Sequence, residues 1–259
     1  MSEASASIDP HAAVHPSAKL GDGCVVGPFC VVEPECIVGD GCVLEAFSRI
    51  CAGAVVGANS RIGQGASVGG LAQVRGLISG GGCRLGEGVR VGEYATIHAS
   101  SVPDGWTTIE DGAMVLAYAH VAHDCRVGAR SVLANGVQLG GHVQVGADAF
   151  LGGGAHVHQF VAVGDLAFVA GCLRLDRDLA PWSRALGEPP RWAGTNRVAL
   201  ARTPGAPDRA QAEDCLRTLF RRGLLVEAAL ERLHASDSPT AAALAIFVKA
   251  SRRGLLRPG

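Results

Sequence analysis

The sequence predicts a β-solenoid, a parallel β-helix of hexapeptide repeats followed by a C-terminal α-helical region. Three observations carry this expectation: an aliphatic residue at every sixth position, 36 glycines among 259 residues, and only 5% aromatic side chains. From Ile8 the beat runs through Val14, Leu20, Val26, Val32, Val38, Leu44, Ile50, Val56, Ile62 and Val68. It resumes at Leu85, Val91 and Ile97, and again at Ile109, Val115, Val121, Val127, Leu133, Leu139, Val145, Leu151, Val157, Val163, Val169 and Leu175. A helix asks for apolar spacing near 3.6 and an ordinary strand for alternation, so a period of six points to coils of three short strands. At a strand separation of about 4.8 Å, some nine coils would form a prism roughly 40 Å long.

Within each hexad the residue after the aliphatic one is often glycine, as at Gly21, Gly39, Gly57, Gly140 and Gly164. A corner that needs permissive backbone angles accounts for this. The fourth residue after the aliphatic one is small and is expected to face the coil interior. Cys24, Cys30, Cys36 and Cys42 all fall there, which reads as packing by a small hydrophobe. With nine cysteines, an odd number, and no CxxC, reduced thiols are expected rather than a disulfide framework or a metal site.

Residues 70–84 and 100–108 break the beat and should loop outward, where functional groups commonly lie. The pattern ends after Asp176, in a Pro- and Trp-containing segment at 181–207. Residues 211–233 then read as one amphipathic helix, with Leu216, Leu219, Phe220, Leu224 and Ala228 as its apolar stripe. A second helix follows Ser238-Pro239, carried by Ala242, Leu244, Ile246, Phe247 and Val248. The expected division is a solenoid at 1–180 and a helical domain at 181–259.

Charge is balanced, 23 Lys and Arg against 24 Asp and Glu, which argues against a general nucleic-acid or membrane-surface binder. Nowhere do eighteen uncharged apolar residues run together, and the N-terminus lacks a basic start with an apolar run, so neither membrane insertion nor a secretory leader is expected and the reading is cytoplasmic. Residues 200–259 carry ten Lys and Arg against six acids, a mildly basic end. These, with Arg191 before them, include Arg202, Arg221, Arg222, Arg252 and Arg253, which read either as a solvated face or as a docking surface for an acidic carrier protein.

A coil of three hexads turns spacing into contact: residues eighteen apart stack. His123, Gly141 and Gln159 form one column, Asp124, His142 and Phe160 the adjoining one, and His120, Gln138 and His156 a third. His123 and His142 should therefore lie within about 5–8 Å, outside the prism. Five of the nine His fall within residues 120–158. Histidine is the natural general base near neutral pH, and a carboxylate neighbour can orient it. His123 is the base candidate. Three His could ligate zinc, but stacking spreads His120, His123, His142, His156 and His158 along a wall, and no metal or cofactor is expected. No GxSxG elbow, P-loop or Rossmann fingerprint is present, which leaves direct transfer of an activated acyl group. A backbone N–H would hold the oxyanion, and Gly141, lacking a side chain beside His123, would let a carbonyl approach.

The runs Ala119-His120-Val121-Ala122-His123-Asp124-Cys125, Gly140-Gly141-His142 and His156-Val157-His158-Gln159-Phe160, with the ending Ser251-Arg252-Arg253-Gly254-Leu255-Leu256-Arg257, closely resemble the UDP-N-acetylglucosamine O-acyltransferase family of lipid A biosynthesis. The resemblance covers nearly the whole chain. It implies a left-handed helix, a homotrimer with clefts between neighbouring prisms, and transfer of a 3-hydroxyacyl chain from acyl carrier protein to a UDP-amino sugar. It further implies His123 as base, Asp124 as its orienting partner and Gly141 as oxyanion donor. His120, His142, His158 and Gln159 would contact substrate, Gly171 would measure the acyl chain, and Asn196 and Arg202 would bind nucleotide or donor. The family usually carries an Asp and a Lys two residues apart in the first loop. Here Gln73 is followed by Val74, Arg75 and Gly76, and Arg75 stands in for the Lys. A Glu expected at 198 is Val198, and a second Arg expected at 203 is Thr203. These departures keep two alternatives open: a 3-amino sugar acceptor or acyl-CoA donor, and a non-catalytic binding scaffold.

Overall fold

The structure is a computed structural model that describes residues 5–76, 80–220 and 224–259. Each coil contributes one strand, mostly of two residues, to each of three parallel sheets, and the beat residue is the inward-facing member of its strand. Val121 pairs with Leu139, and Leu139 with Val157, so the eighteen-residue register holds. Ile50, Ile62, Ile97, Ile109 and Leu133 are fully buried, each contributing about 1.5–3 kcal/mol of apolar burial. Ile8 is 47% exposed because, among the described residues, its strand pairs on one side only, with Val25–Val26.

The glycines that follow the beat residue have a different cause from the one expected. A Cβ on Gly57 would stand 2.4 Å from the carbonyl carbon of Gly86, and one on Gly39 would stand 2.7 Å from Ala58 N. Close approach of the next coil, not backbone freedom, excludes a side chain there. The left-handed angle comes two residues later and is taken by Gly23, Phe29, Glu35 and Phe47 alike. The cysteine ladder is interior as expected, with Cys24, Cys30, Cys36 and Cys42 at most 1% exposed, and all nine thiols are free.

Both breaks in the repeat are shorter than expected. Gly82–Leu85 and Trp106–Ile109 are strands that pair with each other over four residues, so each insertion ends before its predicted boundary. Both insertions leave the prism at the same edge. They follow Ser67–Gly70 and Thr96–His98, which belong to the sheet that also holds His120–Val121, Gln138–Leu139 and His156–Val157.

After the last coils, a hairpin of Ser183–Leu186 and Arg191–Thr195 leads to four helices: α1 (Arg197–Arg202), α2 (Arg209–Leu219), α3 (Val226–His234) and α4 (Pro239–Ala250). The single helix expected over 211–233 is two. α2 ends at its cap Phe220 and α3 starts after Leu225. Folding back lets Leu216, Leu219, Ala229, Leu233 and Leu244 share one core, whereas one straight rod would leave half of that stripe in water. Ala229 and Leu233 take the burial assigned to Ala228. In α4, Leu244 and Val248 are buried as expected, but Ala242 lies on the surface and Ile246 is 69% exposed. Leu166, Ala180 and Trp182 join the helical core from the last coils. The tail then returns to the solenoid: buried Asp178 accepts from Ser251 Oγ at 2.6 Å, Ala162 N at 2.7 Å and Arg253 N at 3.3 Å. Among the described residues no helix is long and apolar enough to cross a membrane.

Candidate active site

The edge from which both insertions leave also carries His123, Gly141 and Gln159. His123 and Asp124 follow the strand His120–Val121 at a tight corner, and Asp124 there has φ 62°. His142 and Phe160, one and two coils further on, repeat that left-handed conformation at 61° and 66°. The repeat thus turns three non-glycine side chains outward in one column. His142 stacks on Phe160 with centroids 4.6 Å apart and meets His123 edge-on at 5.2 Å, inside the expected range.

Gly141 lies under the imidazole of His123. A Cβ at 141 would stand 2.6 Å from His123 Cε1 and 2.8 Å from Nε2, so only glycine leaves room for the ring. Its carbonyl accepts from Phe160 N at 3.0 Å. Its N–H donates to no backbone carbonyl among the described residues.

His123 Nδ1 is 2.7 Å from Asp124 Oδ2. An ionised carboxylate only accepts, so Nδ1 carries the proton and the Nε2 lone pair is left for chemistry. Asp124 is held in turn by the second insertion. Ser100 Oγ donates to Oδ1, Ser101 N donates to Oδ1 at 3.2 Å, and Ser101 Oγ donates to Oδ2 at 2.6 Å. Asp124 N donates to buried Thr107 Oγ1 at 2.8 Å. Burial opposes charge on Asp124, but the bonds from Ser100, Ser101 and His123, with His142 nearby, outweigh it and hold the carboxyl at about 2.

His120 pairs through Nδ1 with Thr96 Oγ1 at 2.8 Å and meets His98 edge-on at 5.1 Å. Burial lowers the pKa of both, the charge of His123 adding to it in each case and that of His98 adding to it for His120. Both imidazoles therefore resist protonation beside His123. His98, Thr96, Ser100, Ser101 and Thr107 escaped the sequence reading. The insertions stretch the coil spacing from eighteen residues to twenty-four between Thr96 and His120, so a fixed eighteen-residue ruler missed them. The signal present was that both breaks fall in the same third of the coil as His123.

Of the remaining candidates, His158 and Gln159 are exposed on the same edge, two coils beyond His123, and Arg75 is exposed in the first insertion. Gly171 follows Phe168–Val169 and so stands at a different edge. Asn196 is 8% exposed and caps α1. Its Nδ2 donates to Leu166 O at 2.8 Å and its Oδ1 accepts from Ala199 N at 3.3 Å, so its amide is engaged within the fold. Arg202 is exposed in the last turn of α1. Within one chain, Gly171, Asn196 and Arg202 are not brought to His123. Arg221 and Arg222 lie outside the described residues.

Donor atoms of His123, Asp124 and His142 lie within 4.8 Å of one another, closer together than a wall of separated histidines would place them. Asp124 spends both oxygens on four donors, and the His123 atom nearest to it carries a proton. The arrangement is a hydrogen-bonded dyad rather than an open coordination sphere. A cleft of about 780 Å³ adjoins it, running from His142 and Phe160 past Val163 and Trp182 to Ile246 and Phe247 of α4.

The structure of Francisella novicida UDP-N-acetylglucosamine acyltransferase superposes with a TM-score of 0.92 at 31% identity, covering 96% of this chain and 94% of that one. The chain belongs to the UDP-N-acetylglucosamine O-acyltransferase family. The Campylobacter jejuni UDP-N-acetylglucosamine acyltransferase gives 0.91 at 30% identity, over 98% and 100% of the two chains. In sequence, the acyl-[acyl-carrier-protein]–UDP-N-acetylglucosamine O-acyltransferase of Burkholderia vietnamiensis is 35% identical over 173 residues, and that of Thermodesulfovibrio yellowstonii 40% over 168. These alignments take in 63% of this chain and 66% and 65% of the two relatives' length. The family description "Udp N-acetylglucosamine O-acyltransferase; Domain 2" matches residues 178–256, "Bacterial transferase hexapeptide (six repeats)" matches 107–141, and "GMPPB C-terminal domain" matches 6–104. The O-acyltransferase match at 178–256 takes in the hairpin, the helices and the returning tail.

Proposed function

We propose that this protein transfers a 3-hydroxyacyl chain from acyl carrier protein to the 3-hydroxyl of UDP-N-acetylglucosamine, the reaction that opens lipid A biosynthesis. The observation that carries the reading is the His123–Asp124 dyad standing over a side-chain-free Gly141, in a chain whose relatives are named acyl-[acyl-carrier-protein]–UDP-N-acetylglucosamine O-acyltransferases. In this mechanism His123 Nε2 takes the proton of the acceptor hydroxyl as its oxygen attacks the thioester carbonyl. The oxyanion is met by Gly141 N–H. Collapse breaks the C–S bond, and His123 returns the proton to the leaving thiolate. Asp124 fixes the imidazole tautomer and balances the imidazolium formed midway.

His120 and His142, with His158 and Gln159, line the acceptor's approach on the same edge, and Arg75 of the first insertion is the cation offered to the sugar nucleotide. Gly171, Asn196 and Arg202 serve this reading through a homotrimer, in which a neighbouring chain brings its own copies to the His123 edge. The separation of Gly171 from His123 within one chain supports that assembly. The domain division follows the chemistry, with 1–180 carrying the base and 181–259 closing the cleft, in a cytoplasmic enzyme whose thiols stay reduced. Neither a cofactor nor a metal enters the mechanism.

The test is mass spectrometry of the product formed by purified protein from mixed 3-hydroxyacyl carrier proteins with UDP-N-acetylglucosamine and its 3-amino analogue. An ester on the former supports the proposal; acylation of the amine alone overturns it.

A further inference from the structure

Two hydroxyls reach the dyad from a segment outside the repeat, and they differ in what else they do. Ser100 Oγ, whose one hydrogen goes to Asp124 Oδ1, also accepts from Val102 N at 3.0 Å, so part of its work is to hold its own turn. Ser101 Oγ has one partner among the described residues, Asp124 Oδ2 at 2.6 Å, the same oxygen that receives His123 Nδ1–H at 2.7 Å. A serine kept only for the turn would have no reason to aim at that atom.

We propose that Ser101, with Ser100 behind it, is a positioning residue that acts on the base through Asp124. Two donors converging on Oδ2 fix the carboxylate plane and with it the tilt of the imidazole over Gly141. They also compete. A hydroxyl dipole with its hydrogen toward Oδ2 offsets part of the negative charge that would favour imidazolium, so His123 stays a neutral acceptor of protons to lower pH. The groups facing His123 are Asp124 on its own corner, His98 and His120 from the adjoining sheet, and His142 from the next coil. Asp124 is the one carboxylate among them and the group hydrogen-bonded to His123, so control of that carboxylate is control of the imidazole.

The inference rests on the acyltransferase reading for its consequence but not for its measurement. In Ser101→Ala, NMR titration of the His123 imidazole should show its pKa raised by about half a unit, with Ser101→Thr restoring it. In the transfer assay kcat should fall about three- to tenfold with KM nearly unchanged, and the acid limb of kcat/KM should move up with the titration. A His123 titration that stays put or falls in Ser101→Ala overturns the proposal, as does a change confined to KM. If the wild-type protein transfers no acyl group, the functional reading fails while the titration still decides the role of Ser101. Ser100→Ala should shift the titration in the same direction and also lower thermal stability, since it loses the turn bond from Val102 N.

Discussion

The imidazole of His123 occupies the space that a side chain on Gly141 would need, its Cε1 lying 2.6 Å from where that Cβ would stand. Gly141 has no left-handed φ, so the backbone itself tolerates alanine. Gly141→Ala should therefore fold, with a thermal midpoint within a few degrees of wild type, yet lose about 10²-fold or more in kcat because the displaced ring no longer faces the acyl carbonyl. Circular dichroism with steady-state kinetics checks both halves; a variant that keeps full kcat would contradict this placement of the ring.

Removing the His123 imidazole is a sharper test of the proposed role. His123→Ala should lower kcat about 10²–10⁴-fold with little effect on KM, and Asp124→Asn should come close to it by upsetting the tautomer. Unchanged turnover in His123→Ala would instead favour a binding scaffold.

Acid stability separates the groups of the site. The carboxyl of Asp124 is held at about 2, below its ordinary 3.8, so its contribution is present above pH 4 and is lost as pH falls through about 2. Asp124→Asn should show a shallower fall in thermal midpoint between pH 4 and 2. The lowered pKa values of His98 and His120 act earlier. The unfolded chain takes up protons near 6.5 that the fold resists, so their part of the stability is lost as pH falls below that value. His98→Gln should flatten the slope there, measured as midpoint against pH.

Two glycines with different reasons should respond differently to alanine. At Gly57 the added Cβ meets the Gly86 backbone at 2.4 Å, while at Gly23 it meets nothing within 4 Å and only a φ of 67° is strained. Overpacking against a fixed backbone costs about 1–3 kcal/mol and often more, whereas the left-handed angle costs about 1–2 kcal/mol. Denaturant unfolding should rank Gly57→Ala as the more damaging of the two.

The returning tail hangs on one buried carboxylate. Asp178→Ala removes the acceptor for Ser251 Oγ, Ala162 N and Arg253 N, and an unpartnered buried donor costs about 1–3 kcal/mol. Amide exchange across residues 251–256 should accelerate in this variant, while the core coils near Val121 stay protected.

Much of the site was legible because a period of eighteen residues is itself a distance. It placed His123 beside Gly141 and His142, and His120 over Gln138, since identical coils must stack at one strand spacing. It could not place Ser101 or Thr96. The insertions change the spacing by amounts that only pairing reveals, and a serine in a loop carries no periodic mark. Nor could it foresee that Asn196 spends its amide on Leu166 O and Ala199 N, because the residues that meet there are thirty positions apart in one case.

By itself the sequence determined the solenoid, its register and the face each repeat residue takes, since burial of one aliphatic side chain in six is a local rule repeated until no other fold satisfies it. It also determined that the His123 imidazole would stand beside Gly141 and His142. Only the tertiary structure decided that the second insertion turns Ser100 and Ser101 onto Asp124. It also decided that residues 211–233 fold back as two helices and that the tail closes on Asp178. These contacts join segments whose separation follows no period, so they exist only once the chain has packed.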